Sequence, residues 1–280
     1  MTTPPSALTV DAAQPQELAR FWAGLLGWHL ATPAEFAGGP DAAAVRPGRS
    51  VGGLAYAAGE ERLLGLDEAP ASPGAAVGAG LGRFTRQEAP SVAAPVVRPP
   101  AEDGCEFDLV FVAEAEPKGH KNRLHLDLAS RTPEHQREVV ECASALGARH
   151  LNLGQGDVPW VVLADPQDNE FCVLEPRPEY AGAGALAALV VDTNEPARLA
   201  GFWSVLTGWP VSTDQNPQTV GLRSPSGRGP AIEFVRSTNA KQGRNRLRLE
   251  LAADPGADPL SPTQDPEGNE FCVRTRPEPA

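Results

Sequence analysis

His125 and Asp127 sit two residues apart in the run NRLHLDLA (122–129). Side chains alternate across a strand, so this spacing puts both on one face, opposite Leu124, Leu126 and Leu128. An imidazole that changes charge near neutrality, set beside a carboxylate, is a pairing suited to moving a proton. EFCV (170–173) places Glu170 and Cys172 on one face by the same rule. A thiol is a nucleophile only when its thiolate is stabilised, for instance by an imidazolium. His125 is therefore the candidate acid or base, and His125, Asp127, Glu170 and Cys172 are candidate ligand-binding residues. Each has a plainer reading: His125 fixed by Asp127 or Glu170 in a polar network, and Cys172 packed as a small hydrophobe. A second constellation is Arg244, Arg246 and Arg248, alternating along GRNRLRLEL and joined by Lys241. Guanidinium forks suit a carboxylate or other anion, and Arg248 is carried forward as a binding candidate. The alternative is an arginine paired to Glu250 or Glu270, or facing solvent where the helix is absent.

These runs occur twice. Leu8–Trp28 recurs as Leu189–Trp209 at an offset of 181, Asn122–Ala129 as Asn245–Ala252 at 123, and Asp165–Val173 as Asp265–Val273 at 100. Three signatures in the same order mean one design used twice. The falling offsets make the second copy shorter by 58 residues, then by 23. The expected domains are 1–180, with an insertion at 33–104, and a shortened 183–280. The fuller first copy is expected to enclose the better pocket, and the second a shallower groove edged by arginine.

Each copy opens with a short strand and an amphipathic helix. Pro15 starts the first helix, Leu18, Phe21, Trp22 and Leu25 form its apolar stripe, and Gly27 ends it. Phe21 belongs to the core, while Trp22, at the stripe's edge, is placed on a pocket rim as a binding residue. Within 33–104 short strands are expected at 42–46 and 51–57. The run holding Gly78, Gly80 and Gly82 lacks the preceding strand and following acid of a nucleotide loop. FDLVFV and RLHLDLA are strands, RTPEHQREVVECASALG is a helix, and WVVLAD and EFCVLE are strands flanking the DPQDN turn. In the second copy, the missing 23 residues cover that helix and most of a strand.

The chain of 280 residues carries a net charge of −12 and a pI near 4.9, which argues against a nucleic-acid partner. No stretch approaches a membrane span, no basic-then-apolar leader opens the sequence, and the four cysteines lack CxxC spacing. A cytoplasmic location, a small-molecule ligand, no nucleic acid and no membrane are the expected setting, with a homodimer as one option for assembly. Three lysines against 21 arginines resemble high-GC bacterial coding.

FWAGLLGW after a short strand, KNRLHLDL, and WVVLADPQDNEFCVL resemble the vicinal oxygen chelate superfamily, in particular its glyoxalase-like branch. The resemblance covers the chain outside 33–104. It implies an α+β fold of tandem glyoxalase-like domains, built from βαβββ modules curled around a small-molecule pocket, with the second copy truncated. It also implies a divalent metal held by His and Glu from the first strand, the strand opening the second module and the last strand. Carried over, these positions fall at Ala7, His125 and Cys172 in the first copy, and at Ala188, Arg248 and Cys272 in the second. Alanine has no donor and arginine no lone pair to give, so no metal and no other cofactor is expected.

Two readings of function follow. One is a glyoxalase-like small-molecule-binding protein without the usual metal site, sequestering an antibiotic or other metabolite as resistance members of the superfamily do. The other is a metal-independent isomerase, lyase or cyclase acting on a small oxygenated metabolite with His125 as acid or base. A third place for copy two is as a scaffold that completes the first.

Overall fold

The computed structural model describes residues 2–31, 94–114, 116–212, 218–254 and 264–275. The strands expected at 42–46 and 51–57 and the glycine run lie outside the described residues. The expected insertion boundary at 104 needs correction, because Val96–Arg98 is a sheet strand.

The elements fall into four modules. The first holds β1 (Pro5–Ala12), α1 (Pro15–Leu26), β2 (His29–Leu30), β3 (Val96–Arg98) and β4 (Asp108–Ala113). The second holds β5 (Leu124–Leu128), α2 (Pro133–Ala145), β6 (Arg149–His150), β7 (Val161–Ala164) and β8 (Glu170–Val173), followed by a short 3-10 turn at Pro178–Tyr180. The third holds β9 (Leu186–Thr193), α3 (Pro196–Thr207), β10 (Thr219–Leu222) and β11 (Ala231–Arg236); the fourth contributes β12 (Leu247–Ala253) and β13 (Cys272–Thr275). This is the α+β architecture of repeated βαβββ modules that the sequence motifs imply.

The first helix forms for local reasons. Proline at its start has φ preset and no N–H to leave unpaired. Gly27 ends it at φ 66°, a left-handed conformation that costs glycine nothing, and its N–H bonds back to Ala23 O. Gly208, at φ 74°, does the same after α3.

Strand pairing does not follow the copies. β1 runs parallel to β4 of its own module and antiparallel to β12 of the other copy. β9 likewise runs parallel to β11 and antiparallel to β5. One sheet therefore has the order β13-β12-β1-β4-β3-β2 and the other β10-β11-β9-β5-β8-β7-β6. Pairing crosses the boundary drawn at 180–183. The expectation that copy one alone walls a pocket is corrected: each sheet joins one module from each copy. Nearly every residue of β1 and β9 is buried, so each needs hydrogen-bonding partners along both edges. Its own module supplies only one.

What ties a copy together is side-chain packing. Trp22 Nε1 donates to Asp165 Oδ2 at 3.2 Å, and Trp203 Nε1 to Asp265 Oδ2 at 3.2 Å. Trp22 packs edge-on against Phe171 with centroids 5.2 Å apart, and Trp203 against Phe271 at 5.1 Å. Asp165 also accepts from the backbone N–H of Gln167 and Asn169 and from Asn169 Nδ2, which pins the DPQDN turn. Burial pushes its carboxyl up while these donors hold it down.

Asp165→Ala strands these donors in the core and should cost about 3–5 kcal/mol, the scale of breaking a buried charged network. Urea denaturation reads this directly; a loss below about 1 kcal/mol would show that the turn is held by packing alone.

Candidate functional site

In both sheets the leucine-bearing face packs on the helices. Leu8 and Val10, Leu124, Leu126 and Leu128, Leu189 and Val191, and Leu247, Leu249 and Leu251 all join one hydrophobic core with Trp22 and Trp203. The opposite faces carry the candidate chemistry. In the seven-stranded sheet, register sets Glu233 beside Val190 and Val190 beside His125. The next row runs Ala231, Ala188, Asp127, Cys172, Val162.

Three of the sequence candidates meet here. One donor atom each from His125, Asp127 and Cys172 lies within 4.8 Å of the others. His125 Nε2 stands 3.4 Å from Asp127 Oδ1, in contact but not aligned as a hydrogen bond. His125 Nδ1 and Asp127 Oδ1 are buried atoms without a hydrogen-bond partner. Burial is the main cause of the raised Asp127 carboxyl, with His125 opposing it. Burial, then the neighbouring Asp127, pushes the Cys172 thiol far above its usual range. That argues against Cys172 as a free thiolate nucleophile.

Two residues missed in the sequence complete the surroundings. Tyr180 donates its hydroxyl to Glu233 Oε1 at 2.6 Å. The Arg223 guanidinium lies 5.4 Å from the centre of the Tyr180 ring. Burial pushes both the Tyr180 phenol and the Glu233 carboxyl up. Glu233 is legible in principle, since in AIEFVR it alternates with Ile232 and Phe234. Tyr180, in the link between copies, carries no signal. The cavity of about 1030 Å³ lies past the end of β5 rather than over the cluster. It is bordered by Ser130, Arg131, His135, Arg177 and Tyr180, and shares Tyr180 and Arg177 with the groups that act on Asp127 and Glu233.

The other candidates lie elsewhere. Glu170 is paired to Lys118 at the start of β8 and accepts from Asn122 N–H at 3.2 Å. Trp22 is 3% exposed in the core rather than on a rim, because the apolar stripe of α1 is wide enough to bury it beside Phe21. Arg248 is 1% exposed on the six-stranded sheet, buried against Asp11 rather than standing at an edge.

The two sheets make a controlled comparison. By the repeat, His125, Asp127 and Cys172 correspond to Arg248, Glu250 and Cys272. Arg248 grips Asp11 through both terminal nitrogens at 2.6 and 2.7 Å. Arg244 reaches the same carboxylate at 2.8 Å, and Lys241 pairs with Glu270 at 2.9 Å. Arg246 bonds Asp11 O and Asn169 Oδ1. Glu250 is bound by Arg274 Nε at 2.5 Å and by Thr9. The arginines expected to receive an anion are spent on internal partners, chiefly Asp11 from the other copy. That pairing is visible only once β12 lies against β1. In the seven-stranded sheet Asp192 replaces Asp11 and is paired to Lys121 at 2.7 Å, which leaves His125 free of it.

Comparison with known proteins agrees with this architecture. The sequence matches the family described as Glyoxalase-like domain over residues 7–174 and 188–261. The fold is similar to glyoxalase I from Zea mays as a V278E mutant, with TM-score 0.52, 8% identity, 97% of this chain and 92% of that one covered. It is also similar to a putative dioxygenase from Bacillus subtilis, with TM-score 0.51, 10% identity, and coverage of 99% and 86%. No curated protein matches the sequence. The chain belongs to the glyoxalase-like domain family, within the vicinal oxygen chelate superfamily.

The metal that this superfamily implies meets a changed donor set. Ala188 offers nothing where a first-strand ligand is expected, and Arg248 and its ion pairs close the six-stranded face. The imidazole, carboxylate and thiol of His125, Asp127 and Cys172 still fit a borderline divalent ion, which would act as a Lewis acid when bound. Residue-by-residue carry-over counts two donors; Asp127 is the third.

Two outcomes are expected. Arg248→Ala leaves Asp11 buried with only the partly exposed Arg244, and should cost about 3–5 kcal/mol in denaturant titrations. Glu233 keeps its proton to higher pH in the folded chain than in the unfolded one, so its contribution to stability falls as pH rises above the ordinary carboxylate range. Glu233→Gln should therefore raise the melting temperature at neutral pH, with the gain shrinking on acidification. A gain independent of pH would disprove the assignment.

Proposed function

We propose that this protein binds a small organic molecule on the seven-stranded sheet, at the face carrying His125, Asp127 and Cys172, and sequesters an antibiotic or another metabolite there. One observation carries this reading. Two equivalent faces exist: on one, arginines engage the carboxylates of Asp11 and Glu250 although Arg248 Nε is left unpartnered, while on the other the imidazole Nδ1 of His125 and Oδ1 of Asp127 both lie buried without hydrogen-bond partners. An unpaired buried donor or acceptor costs about 1–3 kcal/mol, and a ligand that satisfies it recovers that cost. The Tyr180 hydroxyl and the Glu233 carboxyl nearby, with the alanines and valines of β9 and β11, favour a mainly apolar ligand with a few oxygen groups.

An enzymatic reading is favoured by one feature, the contact of His125 with the Asp127 carboxyl, whose pKa burial pushes up. In that case His125 takes or gives the proton of an oxygenated metabolite in an isomerase, lyase or cyclase reaction.

Thermal shift across a panel of antibiotics and small oxygenated metabolites tests the proposal. Hits should lose their shift in His125→Ala and keep it in Cys272→Ser. A shift indifferent to His125→Ala, or abolished by Cys272→Ser, places the site elsewhere. Turnover lost in His125→Ala with binding intact would favour the enzyme.

A further inference from the structure

We propose that the cavity of about 1030 Å³ past the end of β5 is a second ligand site, separate from the seven-stranded face, and that it takes a small organic monocarboxylate. It is walled by the end of β5, the start of α2, the last turn of α1 and the link between the copies. Sites for small organic molecules span about 300–1,000 Å³, so there is room for a carboxylate with a substantial apolar body.

The donors on its wall lack acceptors. Ser130 is 9% exposed, and its buried Oγ has no hydrogen-bond partner. Arg131 is exposed, and its guanidinium makes no hydrogen bond or ion pair among the described residues. The backbone N–H of Arg131 donates to His135 Nδ1 at 3.2 Å, so the neutral ring carries its hydrogen on Nε2 and has a donor left. Arg177 bonds Glu175 through Nε at 2.7 Å, and its terminal nitrogens have no hydrogen-bond partner among the described residues. These donors border one cavity, and the group that meets them is an oxyanion, which only accepts. Glu102 and Asp103 border the same space and limit the charge it takes. Asp103 is already met by Trp28 Nε1 at 3.1 Å and by the N–H groups of Ala185 at 2.8 Å and Cys105 at 3.2 Å, while Glu102 is exposed. One unpaired guanidinium beside these carboxylates suits a single negative charge rather than the roughly double charge of a phosphate monoester. Leu25, Leu26, Leu128 and Val139 supply apolar wall for the rest of the molecule.

The repeat shows that these polar groups are not there for the fold. At the offset of 123, Ser130 and Arg131 correspond to Ala253 and Asp254, one without a hydroxyl and the other of opposite charge. β12 forms with those residues at its end, so the strand does not need a serine and an arginine there. The 23 residues that the second copy lacks include the helix that carries His135. On α1, Gly24 lines the cavity close to Leu146, and its counterpart at the offset of 181 is the exposed Val205. The site belongs to the first copy alone.

Isothermal titration calorimetry of the full-length protein with octanoate tests this. Octanoate should bind at a single site. Octanol, which keeps only the apolar body, and acetate, which keeps only the anion, should bind more weakly, and octyl phosphate no better than octanoate. Arg131→Ala should weaken octanoate by about 10–100-fold, the scale of a hydrogen bond to a charged group, and Arg131→Lys by less. Arg137→Ala, on the same helix and paired to Glu134, should bind like the wild type. Ser130→Ala should weaken binding without lowering the melting temperature of the free protein, because the hydroxyl it removes has no partner to lose. His125→Ala, on the seven-stranded face, should leave octanoate affinity unchanged. The proposal is overturned by no octanoate binding at millimolar concentration, or by octanol or octyl phosphate binding more tightly than octanoate. Affinity that survives Arg131→Ala, or that is lost in His125→Ala, overturns it as well.

Discussion

Everything in this molecule depends on two antiparallel strand pairings, β1 with β12 and β9 with β5. Each opening strand of a copy is buried along most of its length and would leave a row of unpaired backbone groups without the other copy's strand. The duplication is thus not two domains placed end to end. It is an exchange in which each copy completes a sheet of the other, while the Trp22–Asp165 and Trp203–Asp265 contacts keep each copy's own modules packed together. Copy two, though pared, is indispensable, because it supplies central strands to both sheets.

Exchange also explains why the two faces could diverge. Once β12 lies on β1, Arg248 is delivered to Asp11, and the guanidinium fork satisfies both carboxylate oxygens in a space with almost no water. Breaking such a pair leaves a buried charge, so the six-stranded face is committed to structure. The seven-stranded face has the same backbone plan, but His125 is shorter and stays beside Asp127 rather than reaching Asp192, which Lys121 already holds. The same positions in the repeat therefore serve as a brace on one sheet and a site on the other.

Burial penalises the ionised forms of the groups around that site. Asp127, Glu233, Tyr180 and Cys172 all hold their protons more tightly than in water, each mainly because burial penalises the charged form. Such a wall offers hydrogen-bonding groups in a setting that disfavours charge. An ion or ligand entering it would find polar atoms in low dielectric, where each interaction is stronger than at the surface.

Much of this is legible in the amino-acid sequence. The repeat, the proline-started and glycine-ended helices, and the inward leucines with His125 and Asp127 opposite them all follow from spacing, because strand and helix periodicity are local properties of the backbone. Candidate chemistry at His125, Asp127 and Cys172 follows from the same parity. Sequence does not say which strand lies beside which, since pairing between copies joins residues far apart in the chain, from 58 positions (Leu128 with Leu186) to 246 (Pro5 with Leu251), and leaves no local trace. That is why Arg248 reads as a groove-edging ligand residue and is a buried partner of Asp11. Periodicity determined the face each side chain occupies; only the tertiary pairing of strands decided what it meets there.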